Sequence, residues 1–469
     1  MSAHRQTLPI ITRGICLAVG LVVLLASAGC SERCRDLDRQ YQAATSKQPT
    51  FDNDAYSEAT RGAARDGLRS DTDVHFAGSL SLEVLNRLVG RALKTTIAAK
   101  LKAVESLDVA GVQPVDIEAD PGVASVELSA ASDVCGHCFR VDAALEGDVG
   151  VDVPMLGTRK TRLDGSLKFV APIDLRPSEK DASGGRVTLG LSNLAEQSRP
   201  IVIEQLEGLP GRWSDVLSGA LQNVLVQKLT DAIPDVTLAN FETPELGIEG
   251  LKWAPLGLRV DATTQRVTVG FRSNLPASAG RPLSSFDDLI ELDDSTGVAV
   301  ALAPELILSA VRAGFRTGSI PDRYTSDGEA AANGPVRFTL DGIDVIERSD
   351  RDAGIALGIG FRAWHLPSFG HCMWFGGRGV IGVSARDGEL TVGVERVSME
   401  TGSAGSILLQ QADWKASEWM QSSSSLVGTS LSSESLSLPG FDWKASGLSL
   451  TSNDRAVAVG FGIDGADPR

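Results

Sequence analysis

Cysteine and histidine come together twice in this chain, as Cys135-Gly136-His137-Cys138 and again as Gly370-His371-Cys372. Thiolate sulfur and imidazole nitrogen suit zinc, so Cys135, His137 and Cys138, with His371 and Cys372, are a candidate metal set. The same spacing also permits a local disulfide, or a Cys-x-x-Cys pair that exchanges with other thiols. No helix start is evident at Cys135, which disfavours the exchange chemistry. Two such motifs at equivalent positions of separate modules would lie too far apart to share one ion. The remaining cysteines are Cys16, Cys30 and Cys34.

Other catalytic patterns are missing. The chain has no Gly-x-Ser-x-Gly elbow, no phosphate-binding glycine loop with its lysine, no His-Glu-x-x-His and no calcium-loop pattern. With 5 histidines, one of them His4 near the start, little is left for acid–base work. The expectation is a protein that is not an enzyme, with no catalytic residues.

Residues 1–29 read as an export signal. Arg5 and Arg13 give the positive end, and Ile15 to Ala26 give an apolar core too short for a stable membrane span. The stretch Leu25-Ala-Ser-Ala-Gly-Cys30 resembles a bacterial lipobox, with Ser27 departing from the usual leucine. That resemblance implies acylation of Cys30 as the first mature residue. Ser31 in place of an aspartate implies passage to an outer membrane, facing the periplasm. Ala26-Ser-Ala28 also fits ordinary cleavage, so soluble secretion is the competing outcome. An exported location favours disulfides, and Cys34, Cys135, Cys138 and Cys372 allow three pairings. Zinc is the alternative, and no other cofactor is expected.

The mature chain is about 440 residues, long enough for two or three domains. The full sequence's formal charge of −16 argues against nucleic acid as an electrostatic partner. Residues 30–73 are polar and poor in large apolar groups, with at most a short helix around Leu37 and Tyr41. They read as a tether of roughly 35 Å root-mean-square reach.

Two later stretches are near-copies. Trp253, Gly257, Leu258, Val267, Val269, Gly270 and Phe271 recur as Trp443, Gly447, Leu448, Val457, Val459, Gly460 and Phe461. The offset is fixed at 190 residues (443 − 253), which indicates an internal duplication. Each copy alternates apolar and polar residues around a polar turn, the pattern of a half-buried hairpin.

The openings of the two halves also match. Leu82, Leu85, Leu88, Val89, Leu93, Ile97, Leu101 and Val104 recur at helical spacing, with Ser81 placed as N-cap and Glu83 in the first turn. Leu80-Ser-Leu-Glu-Val-Leu85 resembles Leu302-Ala-Pro-Glu-Leu-Ile307, and Leu306, Ile307, Ala310, Val311 and Phe315 continue the second stripe. Between helix and closing hairpin each half alternates at period two, as in Leu167, Phe169, Ala171 and Ile173, or Ile355, Leu357, Ile359 and Phe361. A second helix is expected over Val216 to Leu229, and another over Ile407 to Met420. Asp387-Gly388 is a hairpin-turn signal. The domain boundaries that follow are 74–275 for the first helix-on-sheet module, 276–295 for a linker and 296–469 for the second.

This order, over about residues 74–463, resembles the tubular lipid-binding superfamily that includes the bactericidal/permeability-increasing protein. The resemblance implies an α+β fold of two pseudo-symmetric modules, each a long amphipathic helix on a highly curved antiparallel sheet. It also implies an apolar groove in each half that takes acyl chains, lined by Leu82, Leu85, Leu88, Val89, Leu306, Ile307 and Val311. The alternative at each position is ordinary packed core. An acyl chain of ~14 methylenes in such a groove gains on the order of 11 kcal/mol before ordering costs. The expected function is non-enzymatic binding or transfer of a lipid or other lipophilic molecule by an acyl-anchored protein of the bacterial cell envelope. The alternatives are a ligand-free structural lipoprotein, and a zinc- or redox-dependent protein built on Cys135, His137 and Cys138.

Overall fold

A computed structural model describes residues 32–46, 51–63, 67–87, 90, 93–95, 106–107, 115–153, 157–177, 184–190, 215, 219, 236–242, 248–287, 296–325, 330–346, 354–367, 371–386, 389–403, 431–432 and 444–464. It is mostly antiparallel sheet, curled into half-barrels, with few helices. The first strands in chain order are β1 (Asp73–Val74), β2 (Phe76–Ser81), β3 (Ser106–Leu107), β4 (Val115–Ala130) and β5 (Cys138–Val153). They are followed by β6 (Gly157–Pro177), β7 (Gly184–Leu189), β8 (Val236–Glu242), β9 (Trp253–Asp261) and β10 (Arg266–Ser273). Next come β11 (Arg281–Pro282), β12 (Val298–Leu302), β13 (Arg323–Tyr324), β14 (Val336–Ile346) and β15 (Ile355–His365). The last are β16 (Met373–Arg386), β17 (Glu389–Gly402), β18 (Leu431–Ser432), β19 (Lys444–Ser452) and β20 (Val457–Asp464).

Two six-stranded sheets are simple meanders, β3 to β8 and β13 to β18. The third stands between them in sequence usage, with order β19-β20-β12-β2-β10-β9. Its register repeats across the middle. Phe271 faces Phe76 and Val267 faces Leu80 on one side, while Phe461 faces Val298 and Val457 faces Leu302 on the other. The offsets are 190 (461 − 271) and 222 (302 − 80), the same two that align the hairpins and the opening strands in the sequence. Gly78 pairs directly with Val300 at the centre of this arrangement.

The two closing hairpins are not register copies. Val267 faces Val260, whereas Val457 faces Ser452, a slip of two residues from the sequence alignment. A slip of two preserves which side chains face which way, because the strand period is two. Trp443 lies outside the described residues.

Helix starts follow the local chemistry. The Ser81 hydroxyl accepts the Val84 N–H at 3.2 Å, capping the helix that begins at residue 82. Asn86 one turn later pairs with both backbone groups of Leu128 on β4, donating at 3.0 Å and accepting at 2.5 Å. The Pro304–Thr317 helix has proline in its first turn and ends on Gly318 at φ 78°, where a side chain would be strained. Leu82, Leu85 and Leu306 are buried and read as packed core rather than as an open groove. Ile307 and Val311 are half-buried, while Leu88 and Val89 lie outside the described residues. The expected helices over Val216 to Leu229 and Ile407 to Met420, and the Asp387-Gly388 turn, also fall outside them or nearly so.

The expectation of a free tether over residues 30–73 is not met. Residues 32–46 form a helix whose Leu37 and Tyr41 pack on Trp364 and Cys372. A second helix, Asn53–Ala63, sets its Tyr56 hydroxyl on the Trp253 carbonyl at 2.9 Å. Leu68 and Val74 then join Leu283, Phe286 and Ala301 in a core cluster on the small-residue face of the central sheet. Sparse apolar residues in this segment are enough because each is large and lands on a prepared surface.

Candidate apolar ligand site

The register of the β14–β17 meander sorts its side chains into two faces. Ile355, Leu357, Ile359 and Phe361 on β15 lie opposite Val383, Ile381, Gly379 and Gly377 on β16. Leu357, Ile359 and Phe361 also lie opposite Val345, Ile343 and Leu340 on β14. Beyond β16, Val392, Val394 and Val397 continue the row. The other face carries Arg337, Asp344, Arg362 and Arg378, joined by ion pairs Arg378–Asp344, Arg362–Asp341 and Arg337–Asp38.

Bulges keep this sorting intact where the sequence changes parity. One extra residue, Asp341, sits between Leu340 and Gly342, and another lies between Val394 and Arg396. Arg312 from the Pro304–Thr317 helix donates to the carbonyls of Leu340 and Asp341, at 2.6 and 3.1 Å. That contact supplies partners for the backbone groups that the first bulge takes out of the ladder.

Most of the large residues on the apolar face stay half-buried: Phe338, Leu340, Ile343, Val345, Ile359, Ile381, Val383, Val392 and Val394. The face does not stop at the edge of the meander. Ile355 and Leu357 form one cluster with Val457 of β20, against which Ile307, Ile343, Val383 and Leu450 pack. From Val457 the apolar side of the central sheet runs through Val459 and Val300 to Val269 and Phe271. Val300, at its centre, is 39% exposed. Phe76 stacks on Phe271 with ring centres 4.4 Å apart and meets Trp253 edge-on at 5.2 Å.

The first half differs. Leu128, Phe139, Val141, Phe169, Ala171 and Leu189 share a face of β4–β7 and are all buried. Among the described residues this meander has a closed core, and the open apolar tract belongs to the second half and the central sheet.

At one end of the second meander the outer face is covered. Trp364 is fully buried and donates from its indole to Thr339 Oγ1 at 3.0 Å. Arg362 lies over the Trp364 and Trp374 rings, 5.2 and 4.8 Å from their centres. Tyr41 donates to Asp322 at 2.8 Å; burial first, then the Asp322 hydrogen bond and charge, push its hydroxyl up to about 12. An open cleft of about 600 Å³ lies at this rim, with Tyr41, Phe315, Phe338 and Arg337 among its walls.

The thiols pair as Cys34–Cys372 and Cys135–Cys138, with Cα atoms 5.1 and 5.3 Å apart. Paired sulfurs are not thiolates, so in this state they offer no zinc ligands. No group of three or more His, Cys, Asp or Glu side chains comes together for a metal among the described residues. His137 and His371 are not joined in one site. Sequence reasoning did not single out His75, which is 1% exposed in the bend between β1 and β2. Its Nδ1 meets the Ser273 hydroxyl at 2.7 Å and accepts the Ser273 N–H at 3.0 Å. Burial, helped by the charge of Arg272, pushes this imidazole down to about 3. No helix among the described residues is long and apolar enough to cross a membrane.

No protein-family model and no curated protein matches the chain. Among solved structures it is similar to the crystal structure of lipopolysaccharide binding protein, at 10% identity and TM-score 0.38, over 84% of this chain and 99% of that one. It is also similar to P47 from Clostridium botulinum A2, at 10% identity and TM-score 0.38, over 84% of this chain and 98% of that one. P47 of Clostridium botulinum E1 is comparable, at 11% identity and TM-score 0.39, over 84% and 100%. Superpositions this loose carry no inference about ligand or activity.

Proposed function

We propose that this protein is a non-enzymatic binder or carrier of an acyl-bearing or otherwise lipophilic molecule, built as two fused copies of one helix-on-sheet module. The observation that carries the reading is the apolar tract running from β17 through β14 and β20 to Val300, most of whose aliphatic side chains are half-buried. Soluble monomers do not usually leave so much contiguous aliphatic surface without a use. The matching registers on either side of Gly78 and Val300 support the fusion. The site is assigned to the second half, since the described core of the first is closed.

Ile381 tests it. The Ile381→Glu variant places a charge in the middle of the tract, where an alkyl chain cannot solvate it. Extraction of the purified wild-type protein with organic solvent should yield about one lipophilic molecule per chain by mass spectrometry. The variant should yield less than a tenth of that while keeping the wild-type circular dichroism. Wild-type protein that repeatedly yields no such molecule would favour the ligand-free structural lipoprotein instead.

The envelope location and the acyl anchor on Cys30 belong to the same proposal. The segment after Cys30 folds onto the body within a few residues, so the expected stand-off changes. Cys30 precedes the Cys34–Cys372 disulfide by four residues (34 − 30), a reach of at most about 14 Å. An acylated Cys30 would therefore hold the second meander close to the bilayer rather than at the end of a long leash. Cys30→Ala is expected to abolish labelling by a fatty-acid analogue in cells, and persistent labelling would refute the anchor.

A further inference from the structure

The Cys135–Cys138 disulfide is not part of the apolar tract, and its surroundings suit chemistry rather than bracing. A disulfide between residues three apart closes a tiny loop and so removes little freedom from the unfolded chain, unlike Cys34–Cys372 with its separation of 338. The loop that carries it is held without it. Gly136 O accepts the Val260 N–H at 2.8 Å, and His137 O accepts the Ile173 N–H at 2.9 Å. Asp133 and Arg140 pair across the loop base. The two sulfurs are also unequal: Cys135 is partly exposed, whereas Cys138 is 5% exposed.

The approach to Cys135 is open and has features a polypeptide could use. Val134, its neighbour, is 51% exposed and is one of the two large apolar side chains exposed among the described residues. Beside it lies an open cavity of about 550 Å³ lined by Ser132, Gly136, Arg69, Asp71, Arg259 and Thr263. Between the cysteines, His137 keeps a buried Nδ1 with no hydrogen-bond partner.

We infer that Cys135–Cys138 is a thiol–disulfide exchange site for cysteine-bearing polypeptide segments, with Cys135 as the sulfur attacked. A substrate thiolate would bond to Cys135 Sγ, the Cys135–Cys138 bond would break, and its electron pair would leave on Cys138 Sγ, which then takes a proton. A second substrate thiol would displace Cys135 from the mixed disulfide. The substrate dithiol is thereby oxidised by two electrons to a disulfide, and the Cys135–Cys138 pair is reduced to a dithiol. The inference is independent of the lipophilic-ligand reading.

Its test uses the whole mature protein, equilibrated in a series of reduced and oxidised glutathione buffers, acid-quenched, alkylated and read by peptide mass spectrometry. Cys135 and Cys138 should pass from disulfide to dithiol within the series, with Cys34–Cys372 intact and circular dichroism unchanged. A pair that stays oxidised until the protein unfolds, or whose reduction itself unfolds the protein, overturns the proposal. A second measurement compares the Cys138→Ser and Cys135→Ser variants in oxidised glutathione. The thiol of Cys135 should form its mixed disulfide at least tenfold faster than that of Cys138. Equal rates, the reverse order or no adduct would overturn the assignment of Cys135.

Discussion

Lowering the pH from about 6.5 towards 3 is expected to weaken this fold by several kilocalories per mole through one imidazole, that of His75. In the unfolded chain it titrates near 6.5, and in the fold its value is pushed down to about 3. The folded state therefore binds fewer protons between those values, so the stabilisation is complete above pH 6.5 and is lost as pH falls through the window. At about 1.4 kcal/mol per unit the loss approaches ~4–5 kcal/mol near pH 3. The geometry explains the depression. Nδ1 accepts the Ser273 N–H, so a second proton, which must go to Nδ1, would break that bond and leave a charge buried near Arg272. His75→Gln can still accept from Ser273 and cannot titrate. Urea unfolding at pH 7, 6, 5 and 4 should show the wild type losing stability faster than His75→Gln, and parallel curves would sink the assignment.

Removing the Cys34–Cys372 link is the other large effect. The chain-entropy account of a cross-link between such distant residues gives about 6 kcal/mol. The bond also pins the 32–46 helix, whose Leu37 and Tyr41 bury Trp364. The double variant Cys34→Ala, Cys372→Ala is thus expected to lose stability, and to free Tyr41 from Asp322 and Arg337. Its urea midpoint and the near-ultraviolet signal of Trp364 measure the two consequences. A midpoint shift worth less than about 1 kcal/mol would show that helix packing alone holds this end, since ordinary surface changes are of that order or smaller.

How much of this could be read beforehand depended on how local the physics was. Period-two runs such as Ile355 to Phe361 named the inward face of β15 correctly, because a strand's faces are fixed by its own sequence. Ser81 and Pro304 marked helix starts for the same reason. The parity changes at Asp341 and Glu395 hid the continuation of the face, since a bulge resets which residues point inward. The segment before residue 74 was misjudged because its polarity was averaged. Its few large residues, Leu37, Tyr41, Tyr56 and Leu68, find their surfaces only in tertiary contact. No spacing rule chooses among three pairings of four cysteines, and the partner of Cys34 lies more than three hundred positions away. The groove residues Leu82, Leu85 and Leu306 were placed on the right helices, yet those side chains are consumed by packing. The open surface comes instead from strands whose neighbours in space are remote in sequence.

The middle sheet carries a consequence for how the chain can assemble. Phe76 must wait for Phe271, and Val298 must wait for Phe461, far downstream in the chain. A polypeptide emerging from the ribosome cannot complete its second half until β20 has been made, and such non-local pairing is slow. Losing β20, Val457–Asp464, would bare the backbone of β12, a ready template for clumping with its sisters.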